Sequence, residues 1–561
     1  MNMTRTITWT ILGAVALVSP LGAVTAIAAK NASDKTEVSR RFSYDALSED
    51  MKARAERSYA PDRNRIPSEL TELSYDQYRA IEFSRDSAVE LGESNFKLLP
   101  FHLGGLYRKP VSVFEVQPDK RVEALSFSAD DFHYHKPLDA DAMKALEFPG
   151  VAGMRVNFPI NTEGKSDEVV SFLGHSYFRA LGKNNVYGLS ARGLAVNTAS
   201  PQGEEFPEFT DFYIETPEED GTVVVNAAMD SPSLTGAFRF EISPGDDTTI
   251  DVTARIYARK DIDNIGIAPM TSMFLFNEVN RSAFRDYRER VHDSEGLFIL
   301  REDGRRIWRS LNNPTTLANS WFSETNPKAF GLLQRNRAFA DYQDAEARYE
   351  RRPSLLIEPI GDWGEGQIRL LEIPTRQETN DNIVAFWTPR EKLKAGHSME
   401  YRYIMHWGQL EVNGEGPIMA DYAPPLIATI DTNASDDAEA PPPPSFSPEL
   451  ARIVDVRAGL GGVAGSEDQS ARKFVVDFKG GALSSIEDPD SVEPRVGLSR
   501  GRLVHTTLFH IPDQDIWRLV MDVKIPTGTP VEFNAVIVSQ EDERLSENWL
   551  YQWRSGDELP A

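Results

Sequence analysis

Six stretches of this sequence bring carboxylates, guanidinium groups, amides and aromatic rings together: Ser176-Tyr177-Phe178-Arg179, Tyr187 to Gly193, Gly203-Glu204-Glu205-Phe206-Pro207, Tyr287-Arg288 leading to His292-Asp293-Ser294, Asp362 to Gly366, and Glu378-Thr379-Asn380-Asp381-Asn382. Asp, Glu, Asn and Arg can hydrogen-bond sugar hydroxyls, and Trp and Tyr can cover flat C–H faces, so the combination suits a carbohydrate cleft. Tyr177, Arg179, Arg192, Glu205 and Trp363 are the candidate walls. Trp363 is included because Gly361 and Gly364 let the backbone approach a ligand closely. Taken singly, each cluster is equally an ordinary turn, Trp363 a plug between sheets, and each arginine half of a structural ion pair.

Other chemistries find less support. Gly188-Leu189-Ser190-Ala191-Arg192 begins like a nucleophile elbow but lacks the second glycine and lies among strands, which disfavours a serine hydrolase. Gly459 to Gly465 is glycine-rich without a Walker lysine. His133 and His135 fall on one side of a strand, a partial metal site with no further clustered ligand, so no metal or cofactor is expected. The chain contains no cysteine, which removes disulfides, thiolate metal sites and a cysteine nucleophile together.

The elements that must position these residues read as all-β. Helix is expected over Ala46–Arg57 and Ser74–Ile81. Thereafter β-branched and aromatic runs recur between Gly, Pro, Asn and Asp: Val111–Glu115, Val122–Phe127, Thr222–Met229, Thr249–Ala258 and Gln367–Ile373. The alternation over Asp251–Tyr257 suits a strand with one buried and one wet face, hence a large β-sandwich, placed over residues 42–407. Residues 408–418 form a linker. Lys473–Phe478, Leu503–Phe509, Trp517–Val523, Val531–Val538 and Trp549–Trp553 resemble the strands of an immunoglobulin-like sandwich over 419–558. Pro425–Ile430 would open that sandwich, and the proline-rich 432–445 would be a loop within it.

With 561 residues the chain is too long for one small core. Its net charge of −26 opposes binding to nucleic-acid phosphates, and 40% hydrophobic residues exclude global disorder. Arg5, an apolar stretch from Ile7 to Val18 and Ala26-Ile27-Ala28 read as a secretory signal over 1–28. No segment approaches the roughly 20 apolar residues of a membrane-spanning helix. Export to the periplasm follows as an expectation.

Four further strings, Ser272 to Phe276, Val291 to Ser294, Pro327 to Gln334 and Glu378 to Trp387, resemble the periplasmic glucan biosynthesis proteins OpgG and OpgD, also called MdoG and MdoD. Val475-Val476-Asp477-Phe478 and Trp517 to Met521 extend the likeness, and the export signal looks more like that of OpgG. The resemblance implies a large β-sandwich with a long cleft followed by an immunoglobulin-like domain, and a part in making osmoregulated periplasmic glucans of β-1,2-linked glucose. Some members are inverting hydrolases or transglycosylases. On that pattern Asp381 matches the general acid and Asp293 the general base, chemistry that needs one protonated and one ionised carboxyl. Glu378 would help keep Asp381 protonated by like charge. His292 would orient Asp293 or be a plain buried histidine. The other function implied is a non-catalytic protein that holds nascent glucan for a membrane glucosyltransferase.

Overall fold

The computed structural model describes residues 41–61, 66–217, 221–410, 450–461 and 471–554, apart from 282, 283, 285 and 527. The expected signal, most of the linker, the strand Pro425–Ile430, the proline-rich loop and most of the Gly459–Gly465 turn lie outside them.

Two large sheets form the body, one of 11 strands and one of 14, with few short helices. The strand Thr248–Ala258 shows why: Val252, Ala254 and Ile256 face inward while Asp251, Thr253, Arg255 and Tyr257 stay partly wet. It pairs along its length with Leu234–Ser243 and with Ser398–Gly408. Apolar side chains of the two sheets meet in one core. Phe172 and Phe178 of the 11-stranded sheet lie 5.3 and 5.2 Å from Phe212 and Phe240 of the other. The first helix, Tyr44–Ala55, is capped by the Ser43 side chain and packs Leu47 and Met51 against Ala228 and Ala237. The second expected helix shortens to Tyr75–Arg79, held by a capping box between Ser74 and Gln77.

The strands expected near the C-terminus are present with ends moved by one or two residues, and Arg452–Leu460 and Val492–Leu498 join them. Four make a separate sheet: Arg452–Leu460, Arg472–Lys479, Ile516–Lys524 and Arg502–Ile511. The other three, Val492–Leu498, Pro530–Ser539 and Asn548–Arg554, extend the 14-stranded sheet, because Asn548–Leu550 runs parallel to Ile307–Arg309. A second core lies beneath them. It includes Phe474, Trp517, Phe533 and Trp549 with Phe298 and Trp308 from earlier in the chain. Glu547 is fully buried there and accepts hydrogen bonds from both terminal nitrogens of Arg335 and from the Ile453 N–H.

Candidate carbohydrate-active site

The site is built on the middle of the 11-stranded sheet. Ile265–Ser272 runs there between Ser190–Arg192 and Ile383–Pro389. Past Ser272 the chain leaves the sheet, and Phe274–Phe276 pairs with Val291–His292. Two loops are then fastened to the same three residues. The Asp293 N–H donates to the Met273 carbonyl at 2.8 Å, and the Ser272 and Ser294 hydroxyls meet at 2.9 Å. On the other side Asn382 accepts from the Phe274 N–H at 2.8 Å and donates to the Phe274 and Ile373 carbonyls at 3.0 Å each. Asp293 and Asp381 are thus anchored through one short segment although 88 residues separate them.

Their environments differ. Asp293 is only 3% exposed and takes a hydrogen bond on Oδ1 from Arg352 Nη1, while among the described residues Oδ2 has no such partner. Burial pushes its carboxyl up to about 6; Arg352 and Arg179 oppose the shift, and the charge of Asp381 adds to it. Asp381 is open to solvent, and no side-chain hydrogen bond holds it among the described residues. The protein atoms crowded around it still raise its carboxyl, against the pull of Arg179, Arg192 and Arg352. The arrangement gives one oxygen free to take a proton and one carboxyl free to give one.

Aromatic rings and arginines line the surroundings. The Arg192 guanidinium lies 4.7 Å from the Tyr177 ring and 5.6 Å from Phe206, with Nη1 donating to Glu204 at 2.7 Å and Nε to the Thr271 hydroxyl at 3.1 Å. Tyr177 lies within reach of the Asp381 charge. Arg179 stands over Tyr187 at 5.4 Å. Tyr177 also forms a wall common to two hollows, one of 590 Å³ with Tyr107, His175 and Glu208, and one of 170 Å³ with Phe101, Arg179 and Tyr187.

Four expected site residues are placed otherwise. Trp363 is 5% exposed inside the large core, between Phe330, Trp387, Tyr401 and Tyr403, and its indole N–H donates to the Arg402 carbonyl at 3.1 Å. Its flanking glycines have positive φ, of 79° at Gly361 and 69° at Gly364, so they serve the turn that inserts the ring. Glu205 turns to Ser233, accepting from its N–H at 2.9 Å and its hydroxyl at 2.7 Å, and its neighbour Glu204 takes the place beside Arg192. Glu378 pairs with Arg288 at 2.8 Å, so the upward shift of Asp381 comes from the protein atoms crowded around it and not from Glu378.

His292 is fully buried, stacked on Phe274 and edge-on to Tyr342. Its Nδ1 lies 2.7 Å from Gln334 Oε1, and Gln334 uses its amide to donate to the Tyr349 carbonyl. That assigns the proton to Nδ1. Burial and Arg290 hold the ring neutral, with its pKa down at about 3. Among the described residues it makes no hydrogen bond to Asp293, which follows the strand in a bend and turns to Arg352. His133 and His135 are exposed, His135 pairing with Glu82 at 3.2 Å, and no metal-binding cluster occurs among the described residues.

Arg352 is the site residue the sequence reading missed. Its guanidinium bonds Asp293 and lies 4.2 Å from the Tyr349 ring. Arg351-Arg352-Pro353 carries no spacing that distinguishes it from any basic pair ahead of a proline. Asn382 falls within Glu378 to Trp387, where no local signal marks its amide as the fastener of a turn.

Comparison with known proteins places the chain in a family. A family model described as periplasmic glucan biosynthesis protein, MdoG, matches residues 42–553. Glucans biosynthesis protein G of Cereibacter sphaeroides is 47% identical over 517 residues, covering 92% of this chain and 89% of that protein. Glucans biosynthesis protein G of Pseudomonas paraeruginosa is 39% identical, covering 91% of this chain and 92% of its own length. Probable glucans biosynthesis protein D of Shewanella oneidensis is 38% identical, covering 95% and 92%. With a match over nearly all the described residues and relatives of this identity and coverage, the chain belongs to the MdoG family of periplasmic glucan biosynthesis proteins.

Proposed function

We propose that this protein acts in the periplasm on β-1,2-linked glucan, as an inverting glycoside hydrolase or transglycosylase of periplasmic glucan biosynthesis. Asp381 is the general acid and protonates the leaving glycosidic oxygen as the bond to the anomeric carbon breaks. Asp293 is the general base. Its free Oδ2 takes the proton of a water or acceptor hydroxyl, whose oxygen bonds the anomeric carbon from the opposite face. The cycle leaves Asp293 protonated and Asp381 ionised, and exchange with solvent resets both. Arg352 keeps Asp293 ionised for its task, and Tyr177, Arg179 and Arg192 hold the sugars beside the acids. Residues 42–407 make up the glucan-handling part, and the described strands of 450–554 form the immunoglobulin-like part joined to it through the 14-stranded sheet.

The observation that carries this reading is the pair Asp293 and Asp381, both with raised carboxyl pKa, fastened to either side of Ser272–Phe274. The test is incubation with linear β-1,2-glucan, following chain length and the anomeric configuration of the product. Shortened or transferred chains of inverted configuration are expected, with turnover abolished and binding kept in Asp381→Asn, since the amide cannot deliver a proton. Glucan bound but never altered would assign the protein instead to holding chains for a membrane glucosyltransferase.

A further inference from the structure

The strand Ala318–Thr325 closes one edge of the 11-stranded sheet, next to Glu365–Glu372. Its even-numbered Phe322 packs toward the core, while Asn319, Trp321, Ser323 and Thr325 are all exposed on the outer face. Trp321 is 41% exposed, large for an indole on a regular strand. It is held from below. The Arg369 guanidinium lies 4.5 Å from its ring, sandwiched against Phe386 at 5.6 Å. Arg369 is 5% exposed and donates from Nε to Asn319 at 2.9 Å, its only hydrogen bond among the described residues. The terminal nitrogens of that fork remain available.

The outer face connects two places. At one end, Ala318 pairs with Glu372 and Glu372 with Ile383, two residues after Asp381. At the other end Trp321, Ser323, Glu365, Gln367 and Thr388 line a hollow of 720 Å³. From the rise per residue and the spacing of strands, Trp321 stands about 15–20 Å from the level of Asp381. Arg369 also lies in the field of Glu204, the carboxylate that Arg192 grips beside Tyr177. The face therefore continues the candidate site.

We propose that this face is a distal glucan track, in which Trp321 stacks on a sugar ring while Asn319, Ser323, Gln367 and Arg369 hydrogen-bond its hydroxyls. Its occupant is the far segment of the chain whose reacting bond lies at Asp293 and Asp381, so the proposal rests on the glucan reading above. Side chains of this kind suit a sugar polymer: one exposed ring, amides, a hydroxyl and a guanidinium on a rigid strand. Each alternates outward at every second residue, giving a linear row.

The experiment is titration of the inert Asp381→Asn protein with two probes, a long linear β-1,2-glucan and a β-1,2-linked trisaccharide too short to reach Trp321 from the acids. The long chain is expected to bind more tightly. Adding Trp321→Ala should weaken long-chain binding about tenfold, the size of one aromatic stacking contact, and leave trisaccharide affinity in place. Gln367→Ala, a smaller change at the same face, should weaken it in the same direction, and a melting curve checks that each variant is folded. Equal affinity for the two probes, or a long-chain affinity untouched by Trp321→Ala, overturns the track while the glucan reading stands. Failure of the Asp381→Asn protein to bind either probe overturns both.

Discussion

Arg352 opposes the rise of both carboxyls to which the proposed reaction assigns proton transfer. Burial raises Asp293 to about 6, and Arg352 works against that rise; it opposes the rise at Asp381 as well. A base must be ionised, so activity should climb as pH rises through about 6, and it should fall again once Asp381 loses its proton. Removing the cation lets both carboxyls move further up. Arg352→Gln is therefore expected to displace both limbs of the pH–rate profile to higher pH, the rising limb most, because the hydrogen bond is to Asp293. A rising limb that stays in place would deny Arg352 this role. Trp363 makes the opposite case at the same scale. With its ring among Phe330, Trp387, Tyr401 and Tyr403, Trp363→Ala should cost about 3–5 kcal/mol of stability, read from denaturant unfolding, while the folded fraction keeps its affinity for glucan.

At the scale of elements, the site depends on a strand that ends at the right place. Ile265–Ser272 supplies the sheet, and the residues just beyond it supply the docking points for both acid loops. Asn382 is the fastener. It is 1% exposed and makes three hydrogen bonds that close the turn carrying Asp381. Asn382→Ala would leave the Phe274 N–H buried without a partner, at a cost of about 1–3 kcal/mol. If Asp381 is the acid, as proposed, the kinetic signature should be a loss in kcat larger than the change in KM, because Asp381 is misplaced while Arg179 and Arg192 are not. A rise in KM alone would mean that the turn serves binding.

Across the whole molecule, the C-terminal strands are not a separate appendage. Asn548–Arg554 hydrogen-bonds to Ile307–Arg309, and the second core takes side chains from both stretches. Arg335 and Glu547 join them through a buried pair, with the Arg335 guanidinium 3.6 Å from the Trp308 ring. Glu547→Ala would leave that guanidinium with an unmatched charge, and about 3–5 kcal/mol of stability should be lost. Since the sheet is continuous, calorimetry of the wild-type protein is expected to show one transition that the variant moves as a unit. Two well-separated transitions would show that the C-terminal strands unfold alone.

Period-two alternation in runs such as Asp251–Tyr257 was enough to read strands, because burial of one face acts on adjacent residues. The same local logic located most of the strands it named to within one or two residues, and side-chain chemistry singled out Tyr177, Arg179 and Arg192 as types able to bind sugar. The roles of Asp293 and Asp381 came by resemblance, and their environments came from the fold. Trp363 and Glu205 have the composition of cleft residues, yet one fills the core and the other caps Ser233, since whether a side chain on a loop faces water or protein depends on segments distant in sequence. Arg352 became visible only when the chain brought it to Asp293 across 59 residues. Trp321 was equally hidden: its neighbours in sequence mark a strand, but only the pairing order makes that strand an edge, and only Arg369 from the adjacent strand holds the ring outward. Sequence determined which residues alternate and what chemistry they carry. Tertiary structure decided which of them meet, because burial, charge pairing and the positions of strands in a sheet are set by contacts far apart along the chain.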